Sequence, residues 1–148
     1  MKFTKLIFAI CLGLIIFGCS KEKDEDTFQV YTRPGWTVES PEQYPNSFTA
    51  IVSIPENINA YAADNDIVAA FIDDECRGVG NLIISENGSW RVYIITVRGS
   101  STENRNITFK YYSAQLEYLY QAKTMIAFVI DGTYGTFDNP IILDLENI

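Results

Sequence analysis

Asp64-Asn65-Asp66-Ile67-Val68-Ala69-Ala70-Phe71-Ile72-Asp73-Asp74-Glu75-Cys76-Arg77-Gly78-Val79-Gly80 is the stretch on which the fold turns. Ile67–Ile72 is an apolar run held between two acidic clusters, and a run this short reads as a strand more readily than as a helix. Ile67, Ala69 and Phe71 would point to one side of the sheet, and Val68, Ala70 and Ile72 to the other. Neither side is polar, so the strand is expected to be covered on both faces. The paired alanines leave room for a neighbour to approach closely. Asp73-Asp74-Glu75 reads as a hairpin tip. Residues 76–85 then return as the partner strand, with Gly78 and Gly80 marking a bulge or a close backbone approach.

Outward from this centre the chain repeats the same grammar. Residues 48–54 alternate, with Phe48, Ala50, Val52 and Ile54 on one face, and Pro55 ends the run. Residues 57–63 read as a loop or one helical turn. Asn87-Gly88 is a strong hairpin signal, and residues 90–98 follow as a strand. Ile107, Phe109 and Tyr111 alternate with Thr108, Lys110 and Tyr112, which predicts a buried face and a wet face. Further strands are expected over residues 116–121, 125–130 and 141–145. Before the first strand, residues 28–38 form an extended piece, and Pro41 and Pro45 keep the following segment out of any ladder. The expected fold is all-β, a β-sandwich of seven to eight mostly antiparallel strands, with a partly closed barrel as the other arrangement of such a pattern.

The N-terminus has a different composition. Lys2 and Lys5 precede an apolar run over residues 6–17, closed by Gly18-Cys19. This is the pattern of a secretory signal, too short to stay as a spanning helix. Ile16-Phe17-Gly18-Cys19 resembles the bacterial lipobox. The resemblance implies cleavage before Cys19, lipidation of Cys19 and an outer-membrane location, since two or more acyl chains anchor stably. Residues 1–18 are thus the signal peptide and residues 19–27 the lipidated cysteine with an acidic tether. Residues 28–148 are the β-sandwich domain. Ser20-Lys21-Glu22-Lys23-Asp24-Glu25-Asp26 also resembles the surface-export signal of Bacteroidetes lipoproteins, which implies exposure at the cell surface. Cys11 leaves with the signal and Cys19 is taken by lipid, so Cys76 has no disulfide partner. Lys2 and Lys5 leave too, so nine basic side chains face 19 acidic ones in the mature chain, a formal charge of −10. Such a chain repels phosphate, and no nucleic-acid partner is expected.

Catalytic chemistry is sparse. There is no histidine, which removes Ser-His-Asp triads, Cys-His dyads and histidine-bearing zinc sites. No phosphate-binding loop or dinucleotide fingerprint is present. No cofactor is expected. Asp64, Asp66, Asp73, Asp74 and Glu75 are the candidates for holding a calcium ion, which takes six to eight oxygens; the spacing lacks the glycine and distal glutamate of an EF-hand loop. The plainer reading is that aspartates in turns bond their own backbone. Nine tyrosines and two tryptophans point instead to recognition, because aromatic side chains are enriched at binding surfaces. Tyr61, Tyr112, Tyr118, Tyr120 and Tyr134 are the candidate contact residues.

Asp66-Ile67-Val68-Ala69-Ala70-Phe71 and Glu75-Cys76-Arg77-Gly78-Val79 are followed by two more marks. These are Ile107-Thr108-Phe109-Lys110-Tyr111-Tyr112 and Gly135-Thr136-Phe137-Asp138-Asn139-Pro140. In this order they resemble a β-sandwich module that recurs in secreted and surface proteins of Bacteroidetes. The resemblance implies an immunoglobulin-like β-sandwich with an accessory or adhesive role and carries over no catalytic residue. The function expected is a non-catalytic outer-membrane lipoprotein, a surface recognition or adhesion module that binds glycan or protein. Two other readings are a periplasm-facing structural subunit of a larger envelope complex and a small carboxylate-based glycan hydrolase.

Overall fold

A computed structural model describes residues 29–88 and 90–148. The expected signal peptide, the lipidation site at Cys19 and the tether lie outside the described residues. The strands in chain order are β1 (Asn46–Ser53), β2 (Ile67–Ile72), β3 (Glu75–Val79), β4 (Asn81–Ile84), β5 (Arg91–Gly99) and β6 (Asn106–Ser113). They are followed by β7 (Tyr118–Ala122), β8 (Ile126–Ala127), β9 (Thr133–Tyr134), β10 (Ile141–Ile142) and β11 (Leu145–Asn147). Eight of these have three residues or more, matching the expected number, and three are two-residue pieces. Residues 57–63 contribute to a single helical turn, α1 (Glu56–Asn59), which buries Ile58.

Two sheets pack face to face as an all-β sandwich. One runs β10-β1-β5-β4, with β9 also pairing β1; the other runs β11-β7-β6-β2-β3, with β8 pairing β6. The pairings are antiparallel except for β1 with β9 and β10, which are parallel. The inner faces follow the two-residue period. Phe48, Ala50 and Val52 of β1 and Tyr93, Ile95 and Val97 of β5 meet Val68, Ala70 and Ile72 of β2 and Ile107, Phe109 and Tyr111 of β6. Each valine, isoleucine or phenylalanine among them taken out of water contributes about 1.5–3 kcal/mol.

The β2–β3 hairpin shows why its tip is acidic. Asp73 and Asp74 both have positive φ, 48° and 63°. A tight turn needs that conformation at both central residues, and aspartate tolerates it. After the turn the expected single strand over residues 76–85 divides. β3 pairs β2 in one sheet, and β4 pairs β5 in the other. The crossing depends on Gly78: a Cβ there would stand 2.5 Å from the Thr96 carbonyl oxygen and 2.9 Å from Ile95 Cγ2. Gly80 N–H then donates to the Val68 carbonyl at 2.8 Å as the chain leaves.

Two other expected strands also change sheets. Residues 125–130 keep only β8 on β6 before Asp131 N–H donates to the Ser47 carbonyl on β1 at 2.8 Å. Residues 141–145 divide into β10 on β1 and the start of β11 on β7, with Leu143 fully buried between them. Residues 29–45 contain no strand and lie over the outer face of the β2 sheet. Tyr31 N–H donates to the Glu117 carbonyl at 2.7 Å, and Trp36 stands edge-on to Phe71 with centroids 5.4 Å apart. This segment is what covers the second face of β2. It also overturns the wet face assigned to β6: Tyr112 is buried, and its hydroxyl donates to the Tyr31 carbonyl at 3.2 Å.

Candidate functional site

The five calcium candidates are each engaged separately. Asp64 holds Arg91 Nη2 at 2.7 Å. Asp66 is buried and accepts from the Tyr111 hydroxyl at 2.6 Å and from the Ala63 and Ala114 N–H groups at 2.9 and 2.7 Å. Asp73 pairs with Arg105, and Asp74 with Lys110 at 3.6 Å. Glu75 meets Arg77 at 3.2 Å and accepts from the Tyr44 hydroxyl at 2.8 Å. The five do not converge: among the described residues no group of three or more His, Cys, Asp or Glu stands together to hold a metal ion. Asp66 is a structural acceptor that ties the segment after α1 and the β6–β7 turn to the core. Burial, with this bond second, pushes the Tyr111 hydroxyl well above the ordinary tyrosine value.

Two of the tyrosine candidates come together, Tyr118 and Tyr120, with ring centroids 6.5 Å apart, and the five form no common exposed surface. Tyr112 is buried, which removes it as a contact residue. Tyr118 and Tyr120 lie on β7 and Tyr134 on β9, all partly buried, and Tyr120 and Tyr134 pack against the core. Tyr61 alone of the five is largely exposed. The loop over residues 99–106 turns inward as well. The Glu103 side chain is 1 % exposed and bonds Arg105 Nε at 2.8 Å and Arg77 Nη1 at 3.4 Å. Arg77, fully enclosed, also has its guanidinium 3.5 Å from the Tyr44 ring centroid.

The structure instead gathers aromatic side chains at one end of the β1–β5 sheet. A cleft of about 600 Å³ opens where β1 ends and β5 begins. Trp90, 43 % exposed, enters it from the β4–β5 hairpin, and Phe137, 48 % exposed, from the β9–β10 connection. The hairpin sets the Trp90 backbone in place: its main-chain N–H donates to Ser85 Oγ at 3.1 Å and its carbonyl accepts from Ser85 N–H at 3.1 Å. Ile142 of β10, 65 % exposed, adds apolar surface. The polar lining includes Glu56 and Asn59 of α1, Arg91 of β5, and Asp138. Two side-chain atoms of these residues, Asn59 Oδ1 and Arg91 Nη1, are enclosed and have no hydrogen-bond partner among the described residues. Native interiors leave few such groups, because each costs about 1–3 kcal/mol.

A second cavity of about 400 Å³ lies over the β2 sheet beside Trp36, Phe71, Cys76 and Lys110. Its aromatic floor is closed, since Phe71 is 4 % exposed and carries Trp36 and the Lys110 ammonium, the latter 4.8 Å from its ring centroid. Burial pushes the Cys76 thiol up, so it is a poor nucleophile. The Trp90 cleft is the better candidate. The chain matches no family model, no curated protein and no solved structure. Aromatic count in the sequence points to the tyrosines and passes over Trp90 and Phe137. The available signal is their position beside Asn87-Gly88 and Asp138-Asn139-Pro140, turn sequences that hold large apolar residues at the surface.

Proposed function

We propose that this protein is a non-catalytic recognition module, carried at the outer membrane by lipid on Cys19, that binds glycan in the Trp90–Phe137 cleft. The observation that carries the reading is the pair of exposed aromatic side chains facing one cleft with polar groups around them. Large apolar side chains held together in water mark a binding surface. The C–H faces of a pyranose cover such rings, while its hydroxyls meet the polar rim. The lipobox-like Ile16-Phe17-Gly18-Cys19 and the acidic stretch after it support display from a membrane.

The hydrolase reading is favoured by one feature, the presence of Glu56 and Asp138 in the same cleft. Both are exposed, whereas the general acid of a glycosidase sits in an apolar pocket. The test is a glycan array probed with the full-length protein in a zwitterionic, sugar-free detergent. Binding is expected, and Trp90→Ala with Phe137→Ala should lower affinity at least about tenfold at unchanged melting temperature. Equal binding by the double variant would remove the cleft from the reading. Release of reducing ends from the bound glycan, lost in Glu56→Gln or Asp138→Asn, would establish hydrolysis in place of binding.

A further inference from the structure

We infer that the free edge of β4 is a self-association surface, on which a second copy of this chain adds its own β4 antiparallel across a two-fold axis. β4 ends the sheet order β10-β1-β5-β4 and pairs with β5 alone among the described residues. That pairing uses one half of its backbone. Ser85 N–H donates to the Trp90 carbonyl, and the two-residue alternation of an antiparallel ladder then turns Ile83 and Asn81 toward β5 as well. The N–H and C=O groups of Leu82 and Ile84 point away from β5. Ile83 and Ile84 are 36 % and 37 % exposed, and Asn81 is exposed beside them. Sheet edges are ordinarily blunted by charge, proline or extreme shortness. β3 carries Glu75 and Arg77, β11 carries Glu146, and β10 has two residues. β4 has four, Asn81-Leu82-Ile83-Ile84, with neither charge nor proline.

Two features select a second copy as the occupant. The first is register. Leu82 and Ile84 stand two residues apart, so each can form a hydrogen-bonded pair with the other's counterpart across the axis, while Ile83 meets its own copy as the close, non-hydrogen-bonded pair. Two β-branched side chains set opposite each other in this way stabilise a ladder. The second is charge. The chain is acidic, with a formal charge of −8, so two copies repel over most of their surface. Residues 78–85 carry no charged side chain, and in this register Glu86 lies opposite Gly80 of the other copy. The two Glu86 side chains are then about 20 Å apart, beyond the screening length of physiological salt. A four-residue ladder is a small contact, which places the dimer among weak, reversible associations.

The test uses the full-length chain in the same sugar-free detergent. Light scattering corrected for bound detergent is expected to find two chains per particle at about 100 μM. Ile83→Lys sets like charges opposite each other across the axis and should give one chain per particle at unchanged melting temperature, because the side chain is exposed. Val129→Lys, at a 57 % exposed apolar site outside β4, should keep two. Oxidative cross-linking reads the register. Ile83→Cys brings two sulfurs together on strands about 4.5 Å apart, whereas Ile84→Cys leaves the two Cα atoms about 8 Å apart, too far for a disulfide. Ile83→Cys should therefore cross-link at least about tenfold more than Ile84→Cys, and above the background of the native cysteines in the wild-type chain. One chain per particle in the wild type would overturn the inference. So would a pair that survives Ile83→Lys, which would mean only that two chains share a micelle, and so would equal cross-linking of the two cysteine variants.

Discussion

Phe71 shows how one residue reports on two layers. Its ring is 4 % exposed although it points away from the main core, because Trp36 stands edge-on to it at 82° and Lys110 lies over it. Phe71→Ala should therefore destabilise by about 3–5 kcal/mol, read as a lower urea midpoint at unchanged slope. Gly78 is the opposite case, a residue defined by what cannot be added. The carbonyl oxygen that a Cβ would strike belongs to the backbone of β5 and has no rotamer by which to yield. Gly78→Ala should destabilise by about 1–3 kcal/mol or more through overpacking, while Gly35→Ala, where a Cβ meets nothing within 4 Å, serves as the control. A near-equal melting temperature for the two variants would show that the sheet crossing relaxes. The surroundings of Phe71 and the close approach at Gly78 are both legible in the residues themselves, since an apolar run with two dry faces and a pair of glycines each demand a particular neighbour.

At the scale of elements, the loop over residues 99–106 is fastened to the β3 edge by buried charge. Glu103 lies between Arg105 and the enclosed Arg77, and its hydrogen bond to Arg105 holds its carboxyl below the usual glutamate range. Because the folded value is depressed, the pairing stabilises the protein fully above the unfolded glutamate pKa of about 4.3 and loses that contribution as pH falls through the folded value. The stability difference between wild type and Glu103→Gln should be constant near neutrality and shrink below about pH 4, as measured by urea unfolding across pH. A difference independent of pH would mean that Glu103 acts by packing alone. None of this network is evident from sequence. Arg77 reads as a polar residue on a strand, and only the turn of the loop back onto β3 and the ring of Tyr44 make an enclosed guanidinium tolerable.

For the whole molecule, the cleft and the expected anchor define a polarity. The described domain begins with the covering segment over the β2 sheet, while the aromatic cleft opens on the β1–β5 sheet. Cys19→Ala should abolish acyl labelling and release the protein from the outer-membrane fraction. Membrane recovery of that variant without label would overturn the anchor. Protease added to whole cells should digest the wild-type protein if the domain faces outward and spare it if it faces the periplasm.

The local terms of this fold are written in the chain. The two-residue alternation at residues 48–54, the dry run Ile67–Ile72, the acidic tip at Asp73-Asp74 and the Asn87-Gly88 turn each depend on neighbours within a few residues, and each stands where the pattern places it. The lack of histidine likewise restricts the chemistry through composition alone, wherever the chain goes in space. Sheet membership is another matter. Residues 76–85 and 141–145 each carry one continuous strand-like pattern, yet each divides between sheets, because hydrogen-bond partners are distant in sequence and the crossing point depends on how two twisted sheets meet. The same non-local packing hides Tyr112 under Tyr31 and disperses the five acidic residues among separate cations and N–H groups. It also brings Trp90 and Phe137, from separate loops, to one cleft, since parallel pairing of β10 with β1 sets the β9–β10 connection beside the start of β5.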